Sequence, residues 1–192
     1  AAANIDEDDI NANKELIQGS RVFMTQLEQS LDAAGTALSF AKEGGAITIL
    51  NPAPAQPLEE NILKLCDFVT PNEIEAEQIT GIPVKSINDA EIAAEKLLDK
   101  GANAAVITLG KQGALFKDNK QVIHQKSYEV GPVVETTGAG DAFNGGLAVA
   151  LAEEMPIAKA LRFACATASI SVTRKGTAPS MPKRHEIDTL LK

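Results

Sequence analysis

Short apolar runs rich in Val and Ile alternate with segments of roughly 10–15 residues whose apolar positions recur at helical spacing, and this alternation constrains the fold most. Ala46–Leu50 ("AITIL") and Ala104–Gly110 ("AAVITLG") are apolar on both strand faces, so each needs cover above and below. Strands joined by helical connections run parallel, because the crossover carries the chain back to the same edge of the sheet. The pattern therefore predicts an α/β fold: a mostly parallel sheet between two helical layers.

The remaining elements follow from local signals. A helix is expected over 4–18, with acids in its first turn and Lys14 later, as the helix dipole favours. That acidic run lacks the glycine an EF-hand loop requires. Strands are expected at 21–27 and 66–69, and a hairpin at 113–125 turning near Asp118-Asn119. Helices are expected at Ser30–Lys42 with Ser30 as N-cap, near 58–65 after a proline-punctuated loop, at 70–81, and at 88–101 with Gly101 as the stop. Two long helices, 140–153 and 157–174, and a short one at 183–191 complete the chain. No internal repeat or linker divides it, and 192 residues suit one domain, 1–192.

Composition narrows the function. With 44% hydrophobic and 23% charged residues, the chain has the makeup of an ordinary globular protein. A net charge of −8 argues against a general phosphate-backbone binder, so nucleic acid is not an expected partner. A nucleotide remains possible, since a few N–H groups and a metal ion can hold phosphates locally. Cys66 and Cys165 lie singly in apolar runs and are expected to be reduced core residues. No stretch approaches the ~18 consecutive apolar residues of a membrane span, and the start does not resemble a signal peptide. A cytoplasmic protein without a membrane partner is expected.

Chemistry is sought in loops that follow strands, because ligands of open parallel sheets bind beyond the carboxyl ends. In "TTGAGDAF" (136–143) the N–H groups of Gly138, Ala139 and Gly140 could converge on an anion at a helix N-terminus. It is neither a Walker A loop nor GxGxxG. Asp141 then either takes a proton from an attacking hydroxyl or merely stabilises the helix start. In "TPNEIEAE" (70–77), Thr70 and Glu73 read as a capping box with Pro71 at the first helical position. Asn72 and Glu75 are left over, on one helix turn, to meet a metal-bound water, phosphates or solvent. "TLGKQG" (108–113) is a tight turn or a backbone passing a base or ribose. "RKGTAPS" (174–180) reads as a basic helix end with a glycine cap. His124 and His185 have no partner pattern and are expected at the surface.

Taken together, "TPNEIEAEQITG", "VITLGKQGALF", "VVETTGAGDAFNGGLAVALAE" and "SVTRKGTAPSMP" resemble blocks of the ribokinase-like, or PfkB, family of carbohydrate kinases. The resemblance covers essentially the whole chain. It implies a three-layer α/β/α sandwich and ATP-dependent phosphorylation of a sugar hydroxyl, foremost ribose to ribose 5-phosphate. Fructose, a nucleoside or a deoxy-keto sugar acid are alternative acceptors, and a nucleotide-binding fragment without catalysis is a third reading.

By resemblance, Asp141 is the base, and Gly138, Ala139 and Gly140 form the anion hole. Asn72 and Glu75 handle nucleotide phosphates and Mg²⁺, while Thr108, Leu109, Gly110, Lys111, Gln112 and Gly113 line the adenosine site. Glu28 matches a sugar-contacting residue. Glu135, Thr137, Ser171, Arg174, Gly176 and Ser180 are implied around a monovalent cation, K⁺, mostly through carbonyl oxygens. Small-molecule sugar and nucleotide are the implied partners, with a homodimeric complete enzyme. Two departures stand out. Glu135 replaces the family's usual Asp, and the family's N-terminal portion, with its glycine-rich sugar motif and small-sheet lid, is absent from these residues.

Overall fold

The apolar runs become the strands of one sheet in a computed structural model that describes residues 2–192. Strands β1 (Val22–Thr25), β2 (Ile47–Leu50), β3 (Phe68–Val69), β4 (Ala104–Thr108), β5 (Ala114–Asp118) and β6 (Val122–Gln125) stand in the order β1-β2-β3-β4-β5-β6. The first three neighbouring pairs are parallel, in registers that match Thr25 to Leu50, Leu50 to Val69 and Val69 to Ala105. Helix α3 (Leu31–Glu43) connects β1 to β2, α4 (Glu60–Leu63) connects β2 to β3, and α5 (Glu73–Thr80) with α6 (Ile87–Asp99) connects β3 to β4. Only residues 109–113 separate β4 from β5 and 119–121 separate β5 from β6, too few for a crossover, so the last strands reverse direction.

The chain packs as two compact units. One runs to Ile107 and takes in Leu115–Val122; the other comprises Thr108–Ala114 and Ile123–Lys192. In the first, β2 and β4 are buried along almost their whole length, as expected for parallel strands covered on both faces. Ala33, Ala34, Ala37, Leu38 and Ala41 form the buried face of α3, and Ala90, Ala93, Ala94 and Leu97 that of α6. Alanine lets these helix axes approach closely, while Leu38, Ile49, Leu50 and Leu97 are fully buried and contribute about 1.5–3 kcal/mol each. Asp67, just before β3, accepts from Lys42 Nζ (2.8 Å), Thr48 N (3.0 Å) and Asn103 Nδ2 (2.9 Å). Burial alone would raise its pKa, but these donors win and hold it below the usual carboxylate value.

In the second unit, α7 (Ala139–Ala152) packs on α8 (Ile157–Ser171), whose Leu161, Phe163, Ala164 and Cys165 are buried. Helix α9 (Arg184–Leu190) inserts Ile187 and is tied by the ion pairs Arg174–Glu186 and Arg184–Glu153, while Arg184 also pairs with Asp188 one turn along the same helix. Both cysteines are free and buried, as expected, and burial pushes each thiol up to about 12.

The expected helix at 4–18 is interrupted. Asp6 caps α1 (Glu7–Ala12) in a box with Asp9, and Asn13, in a non-helical conformation, separates α1 from α2 (Lys14–Gln18). Asn readily leaves the helix because its side chain bonds nearby backbone; here Nδ2 donates to Asp9 O at 2.9 Å.

Candidate active site

The second unit holds most of the residues singled out from the sequence. Helix α7 starts at Ala139, and its N-cap is Gly138, at φ 81° in the left-handed region that favours glycine. A Cβ there would also lie 3.1 Å from the Thr177 methyl. Asp141 is therefore not the cap; it is the third helical residue and exposed. The Ala139 N–H donates to Thr136 O at 3.1 Å, whereas among the described residues the N–H groups of Gly138 and Gly140 meet no acceptor. A Cβ built on Gly140 meets nothing within 4 Å. The helix start thus presents two N–H donors, the positive end of the dipole and open space, the attributes of an anion seat.

Near that start, the implied cation residues partly converge. Glu135 Oε2 accepts from Gly176 N at 2.8 Å, and Val134 and Glu135 donate backbone N–H groups to Val172 O at 2.8 and 3.2 Å. The side chain that departs from the family's usual Asp thus bridges two of the implied segments. Ser171 and Ser180 hydroxyls donate to Ala168 O (2.8 Å) and Thr177 O (2.7 Å), leaving their oxygens lone pairs. Arg174 turns to Glu186, and Thr137 is exposed. Among the described residues, no group of three or more His, Cys, Asp or Glu is placed to hold a metal ion.

The loop after β4 is a single 3₁₀ turn, Gly110–Gln112, rather than the strand continuation expected to Gly110. Gly113 sits at φ 92°, and a Cβ there would fall 2.0 Å from Gln125 O, so no other residue fits. Two side chains assigned no role here from the sequence hold this loop: His124 Nε2 bonds Gln112 O at 2.7 Å, and Ser127 Oγ donates to Lys111 O at 2.6 Å. His124, expected at the surface, is half-buried there and its ring bonds the backbone of the candidate adenosine loop.

The first unit holds Glu28, Asn72 and Glu75. Glu28 is exposed in the bend after β1. The expected capping box at Thr70 and Glu73 is incorrect. Helix α5 begins at Glu73 itself, its N-cap is Asn72, and the box pairs Asn72 with Glu75: Glu75 N donates to Asn72 Oδ1 (2.9 Å) and Asn72 N to Glu75 Oε2 (2.8 Å). Two overlapping N-cap patterns stand two residues apart in "TPNEIE", and the sheet decides between them. Thr70, 1% exposed, extends the β3 ladder by donating its N–H to Leu50 O at 2.9 Å, so helix begins later. Burial raises the Glu75 pKa, partly opposed by the Asn72 N–H and reinforced by Glu73.

Similarities to known proteins agree with this architecture. Residues 1–184 match the description "pfkB family carbohydrate kinase". A ribokinase of Haemophilus influenzae is 40% identical over 188 residues, covering 97% of this chain and 60% of that protein. A deoxyribokinase of Salmonella typhi is 36% identical over 185 residues, with 96% and 60% covered. The structure of Arabidopsis thaliana ribokinase complexed with ribose and ATP superposes at a TM-score of 0.90 with 30% identity, covering 99% of this chain and 60% of that one. Thermotoga maritima ribokinase superposes at 0.87 with 34% identity, covering 100% and 62%. The fold is the α/β fold of those kinases. The chain belongs to the pfkB family of carbohydrate kinases, and it spans about 60% of the length of these relatives.

Proposed function

We propose that the chain carries the nucleotide-handling and catalytic part of an ATP-dependent sugar kinase acting on ribose. The observation that carries this reading is the start of α7: an exposed carboxylate, Asp141, one residue beyond an N–H donor with open space above it. Gly138 and Gly140 would hold phosphate oxygens, and bound ATP would supply the phosphoryl group. Asp141 would accept the proton of the attacking sugar hydroxyl. As the nucleophile's proton leaves late in a loose transition state, a weak base in the right place suffices.

Thr108 to Gly113 would pass along the adenosine, and Asn72 with Glu75 would serve the phosphates and Mg²⁺. Glu75 suits that task because its second carboxylate oxygen is not part of the capping box. Glu28 would meet the sugar. The carbonyl-rich set of Glu135, Thr137, Ser171, Arg174, Gly176 and Ser180 would hold K⁺, a hard cation that accepts such oxygens. Among the described residues no helix is long and apolar enough to cross a membrane; with its two reduced cysteines, the reading carries a cytoplasmic location. It also carries a homodimeric full gene product. Similarity to a deoxyribokinase supports 2-deoxyribose as a second acceptor.

The test is a coupled ADP-release assay on this chain and on the full gene product, with ribose, 2-deoxyribose, fructose and a nucleoside. Ribose-dependent release is expected from the full product, and weak nucleotide binding with slow turnover from the chain. Failure of both to release ADP with any of these acceptors overturns the reading.

A further inference from the structure

We propose that Asn51 is a positioning residue that locks the loop carrying Glu28 to the start of α5, which carries Asn72 and Glu75; its value for catalysis rests on the sugar-kinase reading. Asn51 follows β2, the strand between β1 and β3, and is 7% exposed. Its Oδ1 accepts from Gln26 Nε2 at 2.9 Å on the β1 side, and its Nδ2 donates to Thr70 O at 2.8 Å on the β3 side. The backbone joins in: Asn51 N donates to Thr25 O at 3.0 Å, and Ala53 O receives Leu27 N at 2.9 Å.

Each bond lands two residues before a candidate site residue, Gln26 before Glu28 and Thr70 before Asn72. The two edges of the Asn51 amide bond two different loops. Gln29 completes the grip by donating to Thr25 Oγ1 (2.6 Å) and Gln26 O (2.7 Å), so the residues flanking Glu28 are held while Glu28 remains exposed. A primary amide of this length alone offers an acceptor on one edge and a donor on the other. Holding a site in place by bonds from behind is how geometry is set before a ligand arrives.

Asn51→Asp keeps the shape and the Gln26 bond but sets a carboxylate oxygen against Thr70 O. At pH 8, amide exchange at Asn72 and Glu75, followed by NMR, should quicken about tenfold, while amides of α6 keep their wild-type rates. Mg²⁺–ADP binding by calorimetry should weaken by a similar factor. At pH 5 the protonated Asp can donate to Thr70 O again, and both effects should shrink. Equal quickening in α6 would mark a general loss of stability and overturn the proposal, as would unchanged exchange at Asn72 and Glu75. Should Asn51→Asp fail to fold, Gln26→Ala replaces it: faster exchange at Leu27 and Glu28 supports the lock, and unchanged exchange overturns it. A wild-type chain that binds no Mg²⁺–ADP counts against the kinase reading, and the exchange rates still decide the role of Asn51.

Discussion

Gly138 occupies the cap of α7, and Asp141 lies three residues further on, in the first turn. Replacing it with Asn keeps the size and removes the proton acceptor. Ribose-dependent ADP release by the full gene product should fall by roughly 10²–10⁴ with Asp141→Asn, with nucleotide affinity nearly unchanged. Near-normal turnover would reduce Asp141 to a dipole partner. Glu73 and Glu75 exchange the roles their spacing suggests. Glu75→Gln preserves the cap, since the amide oxygen still accepts from Asn72 N, and it removes a carboxylate that burial disfavours. A carboxyl whose folded pKa is raised supports the fold below its unfolded pKa and loses that support as pH rises through the folded value. The wild type should therefore lose ground to Glu75→Gln on going from pH 3.5 to 7.5, measured as the difference in Tm. The same variant should need more Mg²⁺ for turnover. Glu73→Gln, at the first helical position, should cost only about 0.3–1 kcal/mol from the lost dipole interaction and leave the Mg²⁺ requirement alone. Identical Mg²⁺ profiles for the two variants would sink the distinction.

Helix α9 shows how a short element is kept in place. Seven residues are too few to hold a helix by themselves, so Ile187 anchors it, Glu186 ties it to Arg174, and the Lys183 N–H, donating to Glu186, closes its first turn. Arg174 first, then the Lys183 N–H, lower the Glu186 pKa from 4.5 to about 2. A depressed carboxylate contributes stability above its unfolded pKa and loses it as pH falls through the folded one. The Tm advantage of wild type over Glu186→Gln should hold at pH 6, shrink below 4.5 and vanish near 2; a constant advantage would mean that packing, not charge, holds α9. The sequence made such elements visible where one local signal acted alone. Ile47–Leu50 and Ala104–Thr108 are short β-branched runs, and Ser30 caps α3 as its position before the apolar stripe suggests. It failed where two signals competed, as in "TPNEIE", where the β3 ladder took Thr70 and moved the cap. The local geometry of the α7 start was legible because glycine and acid adjoin in sequence. The supports from Asn51, His124 and Ser127 were not, since each acts on a loop distant in sequence and an Asn before a proline reads as plain turn.

For the molecule as a whole, connectivity and the sheet margin matter most. The chain passes between the two compact units at 107–108, 114–115 and 122–123, so neither unit is a continuous segment. We propose that residues 1–192 fold as a single domain, with one coincident thermal transition by far-UV circular dichroism and calorimetry; two resolved transitions would divide it. The margin of the sheet raises a separate issue. Strand β1 ends the strand order and, among the described residues, pairs with β2 alone; Val22-Phe-Met-Thr25 contains neither charge nor proline, and Met24 is 40% exposed. Unpaired N–H and C=O groups beside an apolar side chain are a template for another strand. The isolated chain should therefore self-associate at tens of micromolar, about the range in which exposed edges begin to pair. Met24→Lys places a charge on that edge without touching the buried faces of β2. Sedimentation velocity should show larger species for the wild type and a shift toward monomer for Met24→Lys, at unchanged far-UV dichroism. A wild-type chain that stays monomeric at these concentrations would show the β1 edge to be inert, and association that persists in Met24→Lys would move the contact elsewhere.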